Sequence, residues 1–282
     1  MSWRDVLKRL LADLGREKLS LMAGSIAFFG LLSLAPCITA LVSLYGLAYD
    51  RATVEAQVAA LSGIVPEQAL GPISDELAGI VGSNHSQLGI GLVVSMTIAL
   101  GAAMKGTSAL MTALNVAYGE DEKRGFFGYY ACALLLAAGL LLFGVFSLAV
   151  VAAIPAIVDL LPVGALGRAL VEWLRWPVLA VLAGVAIAAI YHYAPSHSAR
   201  RWRWMNWGVM AATAVWLAGS ALFSVYLHFA VYIGKVPNAS EAYGALGAVV
   251  ALLTWLWLSA FAVLLGGALD ARTARMESGA AP

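Results

Sequence analysis

The sequence predicts an all-α, polytopic membrane protein: a bundle of six transmembrane helices with both termini on the cytoplasmic side. Three observations carry this. First, six apolar stretches occupy most of the 282-residue chain, each near the ~20 residues that a helix rising about 1.5 Å per residue needs to cross ~30 Å of hydrocarbon. Second, the composition is 62% hydrophobic and 12% charged, whereas a soluble domain carries about 25% charged residues; the mean hydropathy is +0.85. Third, with the N-terminus inside, thirteen of the seventeen Lys and Arg fall on inner segments, which follows the positive-inside rule. The runs are too long for barrel strands and lack their alternation.

Residues 1–18 form a basic amphipathic segment. Trp3, Leu7, Leu10, Leu11 and Leu14 share one face and Arg4, Lys8, Arg9 and Arg16 the polar positions, the pattern of an interfacial helix rather than a cleavable signal peptide. The membrane domain then covers 19–270, and 271–282 is a short tail. The first span, Leu19–Tyr45, contains Ser33 three residues before Pro36. Proline removes an amide donor and clashes with the carbonyl four residues back, so a kink near Leu32 is expected, serving as a hinge or as static packing.

The outer segment, about 50–87, holds two short stripes, Val54/Val58/Leu61/Val65 and Ile73/Leu77/Ile80. They read as amphipathic helices capping the bundle, with a gating lid as the sharper alternative. The second span, Leu88–Met104, is minimal, yet its helical pattern runs on to Tyr118. That continuation carries Lys105, Ser108, Thr112 and Asn115 within an arc of about 80°. Either Lys105 snorkels to the inner headgroups, or all four line a water-accessible vestibule in which Lys105 faces an anionic group.

Gly119–Gly125 makes a tight charged turn before the third span, Phe126–Val151. The fourth is Trp176–Tyr193. Between Pro195 and Trp207, arginines alternate with tryptophans, which fits an interfacial aromatic belt better than nucleic-acid stacking. The fifth span is Trp207–Tyr232. The sixth, Tyr243–Leu269, opens with Tyr243-Gly244-Ala245-Leu246-Gly247-Ala248, where Gly244/Ala248 and Gly247/Ala251 form small-residue faces that allow close helix approach within one protomer or between two. Cys37 and Cys132 lie about 18 Å apart in depth by helical rise, too far for a disulfide.

Several segments resemble the YihY/virulence factor BrkB family of bacterial inner-membrane proteins, which once carried the label ribonuclease BN. The resemblance rests on Ala27-Phe28-Phe29 leading to Ser33-Leu34-Ala35-Pro36, and on Ala113-Leu114-Asn115-Val116-Ala117-Tyr118. It continues through Tyr193-Ala194-Pro195 with its Arg/Trp run, and Tyr243–Ala248 running into Trp255 and Leu265-Gly266. It implies six transmembrane helices with both ends inside, and links to virulence and envelope lipids. The family pattern usually ends in Gly-Ala-Glu-Leu-Asn; here Ala268 stands where the glutamate falls, and Asp270 is the nearest substitute.

The sequence holds no clustered His/Asp/Glu metal set and no phosphate-cradling glycine loop, so we expect no catalysis, cofactor, metal or nucleic acid. The expected role is a multi-pass protein of the bacterial inner membrane that binds and translocates an anionic amphiphile such as an envelope lipid. Lys105 would meet the headgroup and Ser108, Thr112 and Asn115 would line its path. Ser33, Pro36, Tyr243, Gly244 and Gly247 would serve hinging or packing. A structural scaffold for envelope integrity is the alternative. Membrane lipids are the expected partners, and a homo-oligomer is left open.

Overall fold

The structure is a computed structural model that describes residues 19–48, 85–160, 164–196, 206–233 and 240–277. The 1–18 segment read as amphipathic, the two outer stripes read as helices (Val54–Val65 and Ile73–Ile80), the Arg/Trp run at 197–205 and the final residues 278–282 lie outside them, while 85–87 of the expected outer segment belong to the start of α2. Six helices follow in order: α1 (Leu19–Ala48), α2 (His85–Tyr118), α3 (Phe126–Leu160), α4 (Ala165–Tyr193), α5 (Trp207–Ile233) and α6 (Ser240–Glu277). No strand occurs among the described residues. Five helices contain an apolar segment long enough to cross a bilayer: Leu19–Leu41, Gly89–Tyr118, Phe126–Ser147, Trp207–Phe229 and Gly247–Ala274. The apolar part of α4, Pro177–Tyr193, is shorter. Its rise is about 26 Å, at the low end of what spans hydrocarbon.

Large apolar side chains stand open on these helices, including Phe127 at 86%, Leu135 at 73% and Leu222 at 71%. A soluble monomer does not expose apolar surface on this scale, whereas hydrocarbon accepts it without cost. The chain is a polytopic α-helical membrane protein.

Two compact units can be distinguished, Leu32–Ala102 and the remainder of the chain. In the first, Pro36 lies inside α1 and Ser33 is buried. The helix continues through the proline. Its hydroxyls bond back to their own backbone, as Thr39 does to the Ala35 carbonyl at 3.1 Å; on α2, Thr97 does so to Val93 at 2.7 Å. Such local bonds let a hydroxyl enter lipid without an orphaned donor.

The second unit packs α3 on α4, α4 on α5 and, most extensively, α5 on α6. Its core gathers Leu19 of α1, Met111 and Leu114 of α2, Ala133 of α3, Tyr191 of α4 and Leu264 of α6. Backbone approach is closest between α5 and α6. A Cβ built on Gly266 would sit 2.5 Å from the Ala212 methyl and the Tyr191 hydroxyl, and 2.6 Å from the Gly208 carbonyl. Gly208 faces Gly266 and Asp270 in return. Higher in the pair, Trp216 Nε1 donates to Ser259 Oγ at 3.0 Å and Trp255 Nε1 to Ser220 Oγ at 3.2 Å. Each helix thus supplies one indole and one hydroxyl to the other.

Among the described residues of this chain, no neighbouring helix closes on Gly247 of the expected small-residue face. Gly247 is exposed and a Cβ there would meet nothing within 4 Å; Tyr243 and Gly244 lie in the first turns of α6. The sequence motif marks small residues, but the neighbour that needs them is set by α5. Gly266→Leu should therefore lower stability by at least the ~1–3 kcal/mol typical of overpacking, whereas Gly247→Ala should change it by less than about 0.5 kcal/mol. Thermal unfolding of the detergent-solubilised protein measures both.

Candidate functional site

The site is built where α2 ends. Gly119 has φ 65°, the left-handed conformation that favours glycine. It closes a Schellman cap in which Glu120 N–H donates to the Asn115 carbonyl at 2.9 Å and Gly119 N–H to Val116 at 3.1 Å. The chain then turns through Glu120–Gly125 into α3.

Asn115, buried, joins this turn to the end of α4. Its Oδ1 accepts from Ser196 N–H at 2.8 Å, and its Nδ2 donates to Glu122 Oε2 at 2.9 Å. Ser196 Oγ accepts from the Lys123 amide at 2.9 Å. The Arg124 guanidinium donates to the carbonyls of Tyr193, Ala194 and Pro195 at 3.0, 3.0 and 2.8 Å. These carbonyls lie at the C-terminus of α4, where a cation also meets the negative end of the helix dipole. Burial alone would raise the Glu122 carboxyl. Hydrogen bonds from the Arg124 amide, Ser196 and Asn115, together with the Arg124 charge, outweigh it and hold the group below the usual carboxylate range.

The four residues of the sequence stripe part company here. Asn115 serves the joint. Thr112 Oγ1 bonds the Ser108 carbonyl at 3.0 Å and lies 3.1 Å from Tyr129 Oη, which itself donates to the Ser108 carbonyl at 3.0 Å. Ser108 Oγ is buried with no hydrogen-bond partner among the described residues. Lys105 is exposed, and no ion pair or hydrogen bond holds it among the described residues.

Register fixes where Lys105 lies along α3. Thr107 Oγ1 donates to the Ala133 carbonyl at 2.7 Å, and Tyr129 lies against Ser108. Lys105 is thus level with about Leu135, roughly 14 Å in from the start of α3 by helical rise and near the middle of its apolar segment Phe126–Ser147. Ending the second span at Met104 placed this lysine at an interface; the apolar segment in fact runs from Gly89 to Tyr118. A charge stops a hydropathy count, but it does not stop a helix.

At the turn, Thr112, Asn115, Glu120, Glu122, Arg124 and Tyr129 line part of a pocket of about 480 Å³. Glu120 is paired with Lys123 at 2.8 Å. Beside it runs a connection the sequence did not suggest. Asp270, 2% exposed, accepts from Tyr118 Oη at 2.7 Å, and Tyr191 Oη donates to the Val263 carbonyl at 2.5 Å. Ala268 is buried in the same helix, so a carboxylate near the end of α6 comes from Asp270. The only sequence signal for it was the displaced acid of the terminal motif. Among the described residues, no three His, Cys, Asp or Glu come together as a metal site.

Fold and site define a polytopic helical membrane protein with a polar stripe that reaches a deep lysine. The chain belongs to the virulence factor BrkB family, which it matches over residues 10–282. It is 26% identical over 276 residues to the ribonuclease-like protein YfkH of Bacillus subtilis, covering 95% of this chain and 93% of that one. It is 27% identical to a UPF0761 membrane protein of Methylibium petroleiphilum, covering 95% of this chain but 62% of the relative. With a UPF0761 membrane protein of Aliivibrio fischeri the identity is 27%, with 93% and 80% covered. The chain therefore spans nearly all of the Bacillus protein and under two thirds of the Methylibium one. No solved structure matches it.

Asn115→Ala should cost about 1–3 kcal/mol, because the buried Ser196 N–H loses its acceptor. For Glu122, a folded pKa below the unfolded value of about 4.3 means stability present above that pH and lost as pH falls through the folded value. Glu122→Gln should therefore be less stable than wild type at neutral pH, and the two should converge in acid. Melting temperatures measured across that range check both statements.

Proposed function

We propose that this chain is a non-enzymatic protein of the bacterial cytoplasmic membrane that binds an anionic amphiphile and passes its headgroup along α2. The observation that carries the reading is Lys105. It is exposed level with the middle of the apolar segment Phe126–Ser147 of α3, where an ion costs about 2.5–3.5 kcal/mol by insertion scales. An anionic headgroup beside it offsets that cost. Thr112 and Tyr129 continue the polar stripe toward the turn pocket, so a headgroup would keep hydrogen-bonding partners there while its tails stay in lipid, and Ser108 Oγ, buried, stays out of its path.

The charges at the pocket refine the reading. Glu120, Asp121 and Glu122 border it and repel an anion. The headgroup's resting place is therefore Lys105, and the pocket is an exit. Asn115, bonded at both ends, positions the turn instead of contacting the substrate. The bacterial relatives and the charge asymmetry support the cytoplasmic membrane, with both termini inside. The ribonuclease-like name of the Bacillus relative is not carried over. A membrane scaffold is the second reading, favoured by the internal bonds of Thr112 and Asn115.

Native mass spectrometry of wild type, Lys105→Ala and Lys105→Arg tests this. Wild type and the arginine variant should retain an anionic phospholipid. Lys105→Ala should bind it about ten- to a hundred-fold more weakly, the equivalent of losing one charged hydrogen bond. The same lipid complement in all three would leave the scaffold.

A further inference from the structure

We propose that the groove between α3 and α4 is a binding site for one acyl chain of a membrane glycerophospholipid. It runs from Gly128 to Phe143 on α3 and from Val185 to Tyr193 on α4, and encloses about 580 Å³, within the range of small-molecule sites. This goes beyond the headgroup reading and is independent of it. Tyr129 and Ala133 mark the flank of α3 that faces α2, and the groove opens between α3 and α4.

The groove follows α3 from Gly128 to Phe143 for about 22 Å and α4 from Val185 to Tyr193 for about 12 Å, lengths that one extended hydrocarbon chain covers. Small residues make the space: Ala131, Gly139, Ala186 and Ala189 line it, and a Cβ on Gly139 would meet nothing within 4 Å. Left empty, such a slot would forfeit the dispersion contacts of its lining.

The groove also has one polar end. Cys132 Sγ donates to the Tyr193 carbonyl at 3.5 Å, and the Arg124 guanidinium is held on the carbonyls of 193–195. Arg124 Cβ would be 3.7 Å from a Cβ on Gly128, which lines the groove. The Tyr193 ring stands 48% exposed beside them. A fixed cation and a tyrosine at this end match a phosphate headgroup, and the apolar length beyond matches its tail.

The test reconstitutes the full chain in vesicles of phosphatidylethanolamine and phosphatidylglycerol. A minor fraction of the phosphatidylglycerol carries a diazirine midway along one acyl chain. After illumination, cross-linked peptides are mapped by mass spectrometry. Labelling should concentrate on 128–143 and 185–193, several-fold above the exposed face of α5 around Leu222 and Tyr226. Gly139→Leu and, separately, Ala189→Leu should reduce groove labelling several-fold and leave α5 unchanged. Lys105→Ala should leave groove labelling intact, so either proposal can fail without the other. Groove labelling no higher than on α5 in wild type overturns the site, and that comparison needs no variant. So does labelling that survives both substitutions, or Cys132–Cys132 cross-linking between copies that displaces the lipid.

Discussion

Hydrocarbon offers no hydrogen-bond partner, and the polar groups of this chain are arranged around that fact. Thr39, Thr97 and Thr254 return their hydroxyls to the carbonyls of residues 35, 93 and 250. Trp216 and Trp255 find serines on the opposite helix. Tyr118 meets Asp270, and Asn115 saturates both ends of its amide. Against that background Lys105 stands out, exposed and held by no ion pair or hydrogen bond among the described residues.

The polar bonds also divide the labour of the helices. α5 and α6 are fastened along their length, by glycine contact around Gly208 and Gly266 and by paired indole and hydroxyl groups further along. α2, α3 and α4 are tied chiefly at one end, through Asn115, Ser196 and Arg124. Away from that joint α3 and α4 enclose a groove, while the stripe of α2 runs along the other side of α3. The α5–α6 pair is fastened along its length, whereas the end-tied helices leave the groove and the polar stripe open on either side of α3.

Much of this was legible in the sequence because helical periodicity and hydropathy are local properties. The starts of α3 and α5, the end of α5 within a residue, the run of α2 on to Tyr118, the glycine turn and the alignment of Lys105, Ser108, Thr112 and Asn115 all follow from residue spacing. α3, however, runs on to Leu160, past the Val151 at which its apolar pattern predicts a stop. What each face meets is not local. Asn115 and Ser196 are 81 residues apart, and Tyr118 and Asp270 are 152 apart. One helical stripe therefore contains a structural clamp at Asn115 and an exposed cation at Lys105, although both occupy the same arc.

The sequence by itself determined the solvent. Six apolar stretches and few charges commit the chain to a membrane, and its motifs commit it to a family. The tertiary structure alone decided depth and partnership. Periodicity says which side of a helix a residue occupies, whereas only the register between α2 and α3 says how far along its neighbour it lies. That register sets Lys105 level with about Leu135 of α3, and the packing of α5 on α6 sets a close contact at Gly266. In each case the cause is an interatomic distance between residues remote in the chain, which no pattern within one helix encodes.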